Sequence, residues 1–509
     1  MSARGTRTSY ATLPNVHAET LWSRAIHVPP GLKMQSDRRV MAVLFCFFAF
    51  LYAWFFQGGG GNQNSQFDSI RAIVERGTVD ITPFAANTED SGEYKGRIYS
   101  NKLPGLAFAA TSFYLAAYHL ELFFGIDPAS FVATNFNSEW ITFMVSGVPG
   151  VLLVLTLFLH FRRKKASTYE ALFLASAFGV GSLLLPYSGV MMDHLLTACV
   201  LFASWHIVSA PELRANLAIA AGLLSGMAIL TDALAWPAAG LVFLYVVAKQ
   251  RHAFKPFLLG ALPLVLALLE YNYLCFDSIL RTNHSIMADE FKTPGYLSGV
   301  LYWPEPIRLF WLTIHPFRGL FYCCPVLLIG LLSLRWPLRI QDSGWETAIP
   351  LLIFAYYLLF NMSFNGWTGG WAFGPRYLIP AMAFLYAFAL PGYRRFRAVS
   401  CGLAAISAVF MLSVTAVNVM LPAHNSGPPP PMTTNPVFDS IRDLLAGQIS
   451  VSTQVILSDT PDFVHSKWAS YNLGELIGLT GLWSLLPVMP AFLGFAWYAN
   501  RLRITYGTS

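Results

Sequence analysis

The sequence predicts an all-α polytopic membrane protein with about 12 transmembrane helices, one re-entrant or interfacial segment and large outer loops. Three observations predict it. The 509 residues are 55% hydrophobic and 12% charged, where soluble domains carry about 25% charged residues. Runs of roughly 20 apolar residues recur along the chain, and inside hydrocarbon such runs are helices because every backbone group must be satisfied internally. Lysine and arginine gather in short connectors, the pattern of cytoplasmic loops. The formal charge of +6 comes with that topology and gives no case for nucleic acid. The cysteines lie mostly in or beside apolar runs without metal spacing, and adjacent Cys323 and Cys324 are expected to pack rather than bridge.

In chain order, residues 1–39 form a basic cytoplasmic tail. Arg24, Lys33, Arg38 and Arg39 precede the first apolar run, 40–56. No small-residue cleavage site follows that run, so it reads as a retained helix rather than a removed signal peptide. The loop 58–105 is then external. Its length and its mixture of acids, cations and amides predict a folded, functional cap rather than a tether. Next come the apolar runs 106–124 and 140–161, the second ending in Arg162, Arg163, Lys164 and Lys165. If both runs crossed, those four cations would be external. The segment 106–124 is therefore expected to dip in or lie along the outer surface.

From there the runs alternate. They are expected near 170–188, 194–209, 216–232, 234–248, 256–274, 317–334, 347–362, 376–391, 401–421 and 477–499. The transmembrane domain is thus 40–421. A second outer loop falls at about 275–315, a third at 422–475, and the last helix with a cytoplasmic tail occupies 476–509. The absence of a visible internal repeat counts slightly against a transporter. The long loops all face outward, so the work of the protein is expected at the outer leaflet of the plasma membrane.

Several polar residues stand at that outer side. Within Gly96–Gly105, Arg97, Tyr99 and Lys102 are candidates for substrate binding, with Lys102 at headgroup depth where an ammonium meets a lipid phosphate. An ordinary Tyr/Lys interfacial anchor is the competing reading. Asp193 and His194 sit at the outer mouth of a helical hairpin, as a base, a ligand or a solvated turn. Asp232 and Glu270 lie near the outer ends of apolar runs, where acids are usually paired or functional. Arg318 and Arg376 open helices at the same side, and a guanidinium grips phosphate oxygens bidentately. Trp371, with Trp367 and Phe373, could stack on a sugar or isoprenoid or form an aromatic belt. Nucleotide-binding and hydrolase-type motifs are missing.

The pattern resembles the GT-C superfamily of glycosyltransferases, in particular its protein-mannosyltransferase-like group. The resemblance spans most of the chain and rests on four short stretches: GRIYSNKLPG at 96–105, Asp193, RGLFYCCPVLL at 318–328 and GGWAFGPRYLIPA at 369–381. It implies a large first outer loop with interfacial helices and transfer of a sugar from a polyprenyl-phosphate donor, without a nucleotide sugar. Many relatives carry a catalytic acid soon after the first helix. Here that stretch reads Asn62–Gln63–Asn64–Ser65–Gln66–Phe67, so amides replace acids. The resemblance therefore implies Asp193 and Asp90 as catalytic substitutes, with Asp68 as a fallback. Lys102 and Arg376 would stabilise the departing lipid phosphate. No cofactor is required, though a divalent cation is compatible. The partners implied are the lipid-linked donor, the bilayer and a glycan, lipid or protein acceptor. A transporter or flippase of a lipid-linked or small polar substrate, and a non-catalytic sugar-lipid binder, remain as alternatives.

Overall fold

A computed structural model of the protein describes residues 34–287, 291–334, 344–421, 429–452 and 469–506. Most of the expected tail 1–39, the connector cations Arg335 and Arg339, and the parts 422–428 and 453–468 of the third outer loop lie outside the described residues.

The described residues are predominantly helical. Helices α1 (Met34–Trp54), α2 (Gly61–Arg76), α3 (Gly105–Phe123) and α4 (Phe131–Thr142) are followed by a π-turn, Phe143–Gly147, and α5 (Val148–Arg163). Then come α6 (Thr168–Gly181), α7 (Asp193–Val208), α8 (Ala215–Thr231), α9 (Ala235–Lys249), α10 (Phe254–Phe276), α11 (Gly344–Ser363) and α12 (Arg397–Val417). Among the described residues, five helical stretches are long and apolar enough to cross a membrane: Gly105–Phe123, Phe131–Arg163, Arg251–Phe276, Gly344–Ser363 and Arg397–Val417. Shorter apolar helices run over Asp193–Val208, Ala215–Thr231, Ala235–Lys249 and Pro325–Leu334. The count of about 12 crossings that the apolar runs predict is not confirmed by these. Several runs are broken: 317–334 divides at Cys324–Pro325, and 376–391 divides between Tyr386 and Ala389. The last long helix begins at Val488 rather than near 477.

One end of the bundle is basic. There Arg162 pairs with Asp37 at 3.1 Å, Arg394 with Glu170 at 2.7 Å, and Arg163 donates to Ser209 Oγ at 2.7 Å. Gln250 and His252 bond the carbonyls of Ala210 and Leu213. All of these come from connectors expected to share one side. At the opposite end α1 leads into strand β1 (Phe55–Gln57), which pairs antiparallel with β2 (Ser470–Asn472). Gly189 passes so close to that edge that a Cβ on it would lie 2.2 Å from the Phe55 carbonyl oxygen.

The helix α3 stays at this opposite end. Its first residue, Gly105, lies against the last turn of α8, where a Cβ would fall 2.5 Å from Thr231 Oγ1. Near its other end, Glu121 accepts from Asn137 Nδ2 at 3.0 and 3.1 Å. Asn137 is nine residues before Ser146, about 14 Å at 1.5 Å per residue. Ser146 is itself already at the opposite end, donating to the Val190 carbonyl at 2.9 Å. Length and composition alone would let α3 cross, but both of its ends are on one side of the bundle.

The loop 58–105 folds as a cap. The run Gly58–Gly61 forms the corner into α2: Gly59 and Gly60 have φ of 72° and 85°, a conformation glycine adopts without strain. Residues Ser91–Tyr94 and Arg97–Ser100 form a hairpin, closed by Lys95 and Gly96 with φ of 52° and 75°, the left-handed pair of a two-residue hairpin loop. Below the cap, α8 and α10 cross with backbones in contact. A Cβ on Gly222 would lie 1.9 Å from the Phe257 carbonyl oxygen, and one on Gly260 2.0 Å from that of Ile219. Small residues permit this approach in apolar bundles.

Candidate active site beneath the cap

The site is built from the hairpin, the first turn of α2, the ends of α7 and α8, the connector before Arg376 and the turn Asn283–Ile286. Asp90 stands just before the first hairpin strand. Its carboxylate lies 3.3 Å from Lys102 Nζ and accepts from Asn101 Nδ2 at 3.1 Å. It also faces the N-terminus of α2: a Cβ on Gly61 would sit 3.5 Å from Asp90 Oδ2, where a helix favours negative charge. Ser65, on the next turn of α2, donates to the Asp90 carbonyl at 2.6 Å and touches Ser100 Oγ at 2.6 Å. An acid distant in sequence is thus placed at the turn where the amides Asn62, Gln63 and Asn64 stand.

Burial pushes the Asp90 carboxyl up, but Lys102, the Asn101 bond and Arg376 together outweigh it and hold the group below its ordinary value. Because the folded-state value is depressed, the carboxylate and its contact with Lys102 persist at neutral pH. They are lost only as the pH falls through that lowered value.

Lys102 owes its position to the residues after it. Leu103 packs on Leu230 and Leu268, and Gly105 allows the close approach to Thr231. The string SNKLPG is therefore partly structural: it docks the cap onto α8 and α10 and leaves the ammonium over the bundle. Arg376 approaches from the other wall. Its Nη1 donates to Met192 Sδ at 3.4 Å and its Nη2 to Tyr377 Oη at 3.2 Å, while Nε has no partner. Among the described residues no carboxylate is bonded to this guanidinium.

Asp193 opens α7. Its Oδ1 is 3.0 Å from His194 Nδ1, without the alignment of a hydrogen bond. Asp193, Arg376 and Lys102 all act electrostatically on His194, whose ring meets Tyr377 edge-on at 5.7 Å. Asp232 ends α8 with Oδ1 accepting from the Leu234 amide at 2.8 Å and Oδ2 buried without a partner. It lies within electrostatic reach of Asp193.

The structure thus brings together Asp90, Lys102, Asp193, His194 and Arg376, all singled out in the sequence. Others stand apart. Arg97 is exposed on the hairpin, and Tyr99 packs on Phe276 and Tyr271. Arg318 is fully buried, with Nε and Nη2 on the carbonyls of Thr368 and Gly370 at 2.9 and 3.3 Å. Its contacts pin the connector ahead of Arg376. Trp371 is exposed, and Trp367 instead stacks on Trp311. Glu270 lies on the exposed face of α10. Asp68, the fallback acid, is buried and accepts from Asn87 Nδ2 at 3.4 Å, tying the cap together. Among the described residues no group of three or more His, Cys, Asp or Glu stands ready for a metal ion.

His284 was not legible in the sequence. It lies in the second outer loop, and nothing in its neighbours there distinguishes it. Lys102, Asp193 and Asp90 all act on it. An apolar groove of about 750 Å³ runs between α9, α11 and the segment 295–303, lined among others by Leu241, Leu297, Leu352, Tyr356 and Phe360. Tyr356 is also within electrostatic reach of Asp232.

No family model matches the chain, and no curated protein matches it. Among solved structures it is similar to ArnT from Cupriavidus metallidurans bound to undecaprenyl phosphate, at 13% identity over 76% of this chain and 64% of that one, with a TM-score of 0.48. The same protein in the apo state gives 12% identity over 75% and 64%, with a TM-score of 0.46. The archaeal oligosaccharyltransferase AglB from Archaeoglobus fulgidus, in complex with an inhibitory peptide and a dolichol-phosphate, gives 13% over 75% and 37%, with a TM-score of 0.29. The chain therefore spans 64% of the length of either ArnT chain and 37% of that of AglB.

Proposed function

We propose that this protein is a membrane glycosyltransferase of the GT-C type. It moves a sugar from a polyprenyl-phosphate donor to an acceptor hydroxyl at the outer face of the plasma membrane. The observation that carries the reading is Arg376: a half-buried guanidinium bonded only to a thioether and a phenol, its buried Nε without a partner, across the site from Lys102. A charge withdrawn from water is costly until it meets a counter-ion, and a planar fork beside an ammonium suits a phosphate. The apolar groove between α9 and α11, whose lining residue Tyr356 is within electrostatic reach of Asp232, offers apolar surface on which a prenyl chain can lie.

In the reaction, the acceptor oxygen attacks the anomeric carbon and the bond from that carbon to the phosphate oxygen breaks. The electron pair leaves with the lipid phosphate, where Lys102 and Arg376 stabilise the growing charge. Asp193 takes the proton from the acceptor. Asp90 keeps Lys102 in place. Arg97, Tyr99, Arg318, His194 and Trp371 form the wider substrate-binding set. Of these, Arg318 acts through the connector it holds, and Arg97 and Trp371 lie out where an acceptor would arrive. Mass spectrometry of envelope glycans and glycoproteins, with and without the gene, tests the function. Loss of one sugar from one class of molecule is expected, and identical profiles would overturn the reading.

This reading places the basic end of the bundle, and the N-terminus, in the cytoplasm and the cap outside, with α3 lying at the outer interface. In a background without native cysteines, Lys95→Cys is expected to react with an impermeant thiol reagent added outside intact cells. Lys165→Cys is expected to react only after permeabilisation. Labelling of Lys165→Cys from outside would reverse the orientation.

A further inference from the structure

We infer that the groove between the hairpin and the second outer loop is the acceptor site, and that the acceptor it takes is a neutral, polyhydroxylated glycan. The inference rests on the transferase reading above and names the substrate class of its second reactant.

The groove has a volume of about 810 Å³, inside the range of about 300–1,000 Å³ usual for ligand clefts. Among the described residues, one wall is the hairpin segment, with Glu89, Ser91, Glu93 and Tyr94, and the other is the second outer loop, with Arg281 and Lys292. The two walls are fixed to each other. Asn283 is fully buried and donates through Nδ2 to the Ser100 carbonyl at 2.7 Å and to Tyr271 Oη at 3.1 Å. A Cβ on Gly92 would lie 2.1 Å from the Ile286 carbonyl oxygen, so the absence of a side chain there lets the loop lie against the hairpin. Tyr94 meets Phe276 edge-on at 5.9 Å and holds the Arg281 guanidinium 5.0 Å from its ring centre. A cleft formed before its ligand arrives spares the cost of ordering it on binding.

The groove and the catalytic cluster share a stretch of chain. Glu89 and Ser91 line the groove, and Asp90 stands between them. The Ser91 amide donates to the Glu89 carbonyl at 2.9 Å, so the chain turns tightly at Asp90, whose carboxylate meets Lys102 Nζ at 3.3 Å. Ser91 also pairs in register with Ser100, whose Oγ accepts from the Lys102 amide at 3.1 Å. One rung of the hairpin thus separates groove from cluster, and a chain of sugars held in the groove has its reacting end beside Asp90.

The lining selects the chemistry. Among the described residues, the carboxylates Glu89 and Glu93 are matched by the cations Arg281 and Lys292. A polyanion would be repelled by the first pair and a polycation by the second. An apolar chain would strip water from all four groups and replace it with nothing. A hydroxyl both donates and accepts, so a neutral glycan can donate to the carboxylates and accept from the cations.

The test uses the full-length protein in lipid nanodiscs, with tetrasaccharides of mannose, glucose and N-acetylglucosamine as neutral probes. Tetragalacturonate and tetralysine are the charged probes, and binding is read by saturation-transfer NMR and titration. At least one neutral tetrasaccharide should bind in preference to both charged probes. Arg281→Ala and Glu93→Ala should each weaken it about 10-fold, the low end for a hydrogen bond to a charged group. Both side chains are exposed, so neither change should disturb folding, and the affinity for undecaprenyl phosphate should stay unchanged. Binding of no neutral probe, preference for a charged one, or neutral binding that neither variant weakens overturns the groove as a glycan site while undecaprenyl phosphate still binds. A wild-type protein that binds no undecaprenyl phosphate overturns the transferase reading and the acceptor site with it.

Discussion

The double variant Asp193→Asn, Asp90→Asn should lose transfer by roughly 10²- to 10⁴-fold, the range over which a positioned general base acts. The two changes should act differently. Asp193 touches no cation and opens a helix, so Asn there preserves shape, keeps the cap and removes only the proton acceptor. Its single variant should lower kcat with little change in donor KM. Asp90 holds Lys102 at 3.3 Å, so its single variant should free the ammonium and alter donor affinity first. Coupling between residues that serve one site is normally non-additive. Rates and donor affinities from purified single and double variants check this. A double variant with wild-type turnover would remove the carboxylates from the chemistry. If the unaltered protein also transfers nothing, the amides Asn62, Gln63 and Asn64 mark a binding-only protein.

How far the site could be read from the chain depends on where each residue's information resides. Lys102 and Arg376 were legible because each opens an apolar segment at the outer side, and position along the chain fixes depth in a membrane. Asp193 was legible for the same reason. The missing acid was a different problem. In sequence, 62–64 lacks a carboxylate, and only the folding of the cap shows that Asp90 occupies the N-terminus of α2 beside Gly61. Long-range placement of this kind leaves no periodic trace. The turn that carries His284 was invisible for the same reason, since its neighbours Asn283 and Ile286 meet Ser100 and Gly92, far earlier in the chain.

Charge and hydropathy read α3 differently. The cation cluster at 162–165 required 106–124 to stay on one side, and both ends of α3 do stay there. Hydropathy by itself marks α3 as a span. It also ran together helices that the structure divides, such as the one broken at Pro325, because an apolar run gives no sign of where a backbone bends. Arg318 shows a limit of the opposite kind. The sequence offers it as a phosphate ligand on equal terms with Arg376. It is fully buried with two of its nitrogens on the carbonyls of Thr368 and Gly370 and Nη1 without a partner, so what distinguishes it from Arg376 is that it pins the connector, whereas Arg376 bonds only a thioether and a phenol.

The variants Lys102→Ala and Arg376→Ala should each weaken use of a polyprenyl-phosphate sugar by about 10- to 150-fold, equivalent to the roughly 1.5–3 kcal/mol of a charge-assisted contact. Neither should unfold the protein. Lys102 contributes one partly exposed ion pair to the cap, which is otherwise held by the backbone and by Ser65, Asn101 and Asn283. Arg376 gives up only a thioether and a phenol. The conservative changes separate charge from geometry. Lys102→Arg should retain much of the donor affinity, because a phosphate accepts either cation. Arg376→Lys should recover little, because an ammonium does not reproduce the planar fork. Binding of undecaprenyl phosphate alone, measured on protein in nanodiscs, should weaken in parallel with turnover of the donor probes, because both reactant and leaving group carry the phosphate. Arg318→Ala is the control. It should disturb folding of the connector 366–371 and lower thermal stability, where Arg376→Ala should not. Unchanged affinity for undecaprenyl phosphate in both the Lys102 and the Arg376 variants would remove the phosphate from this site.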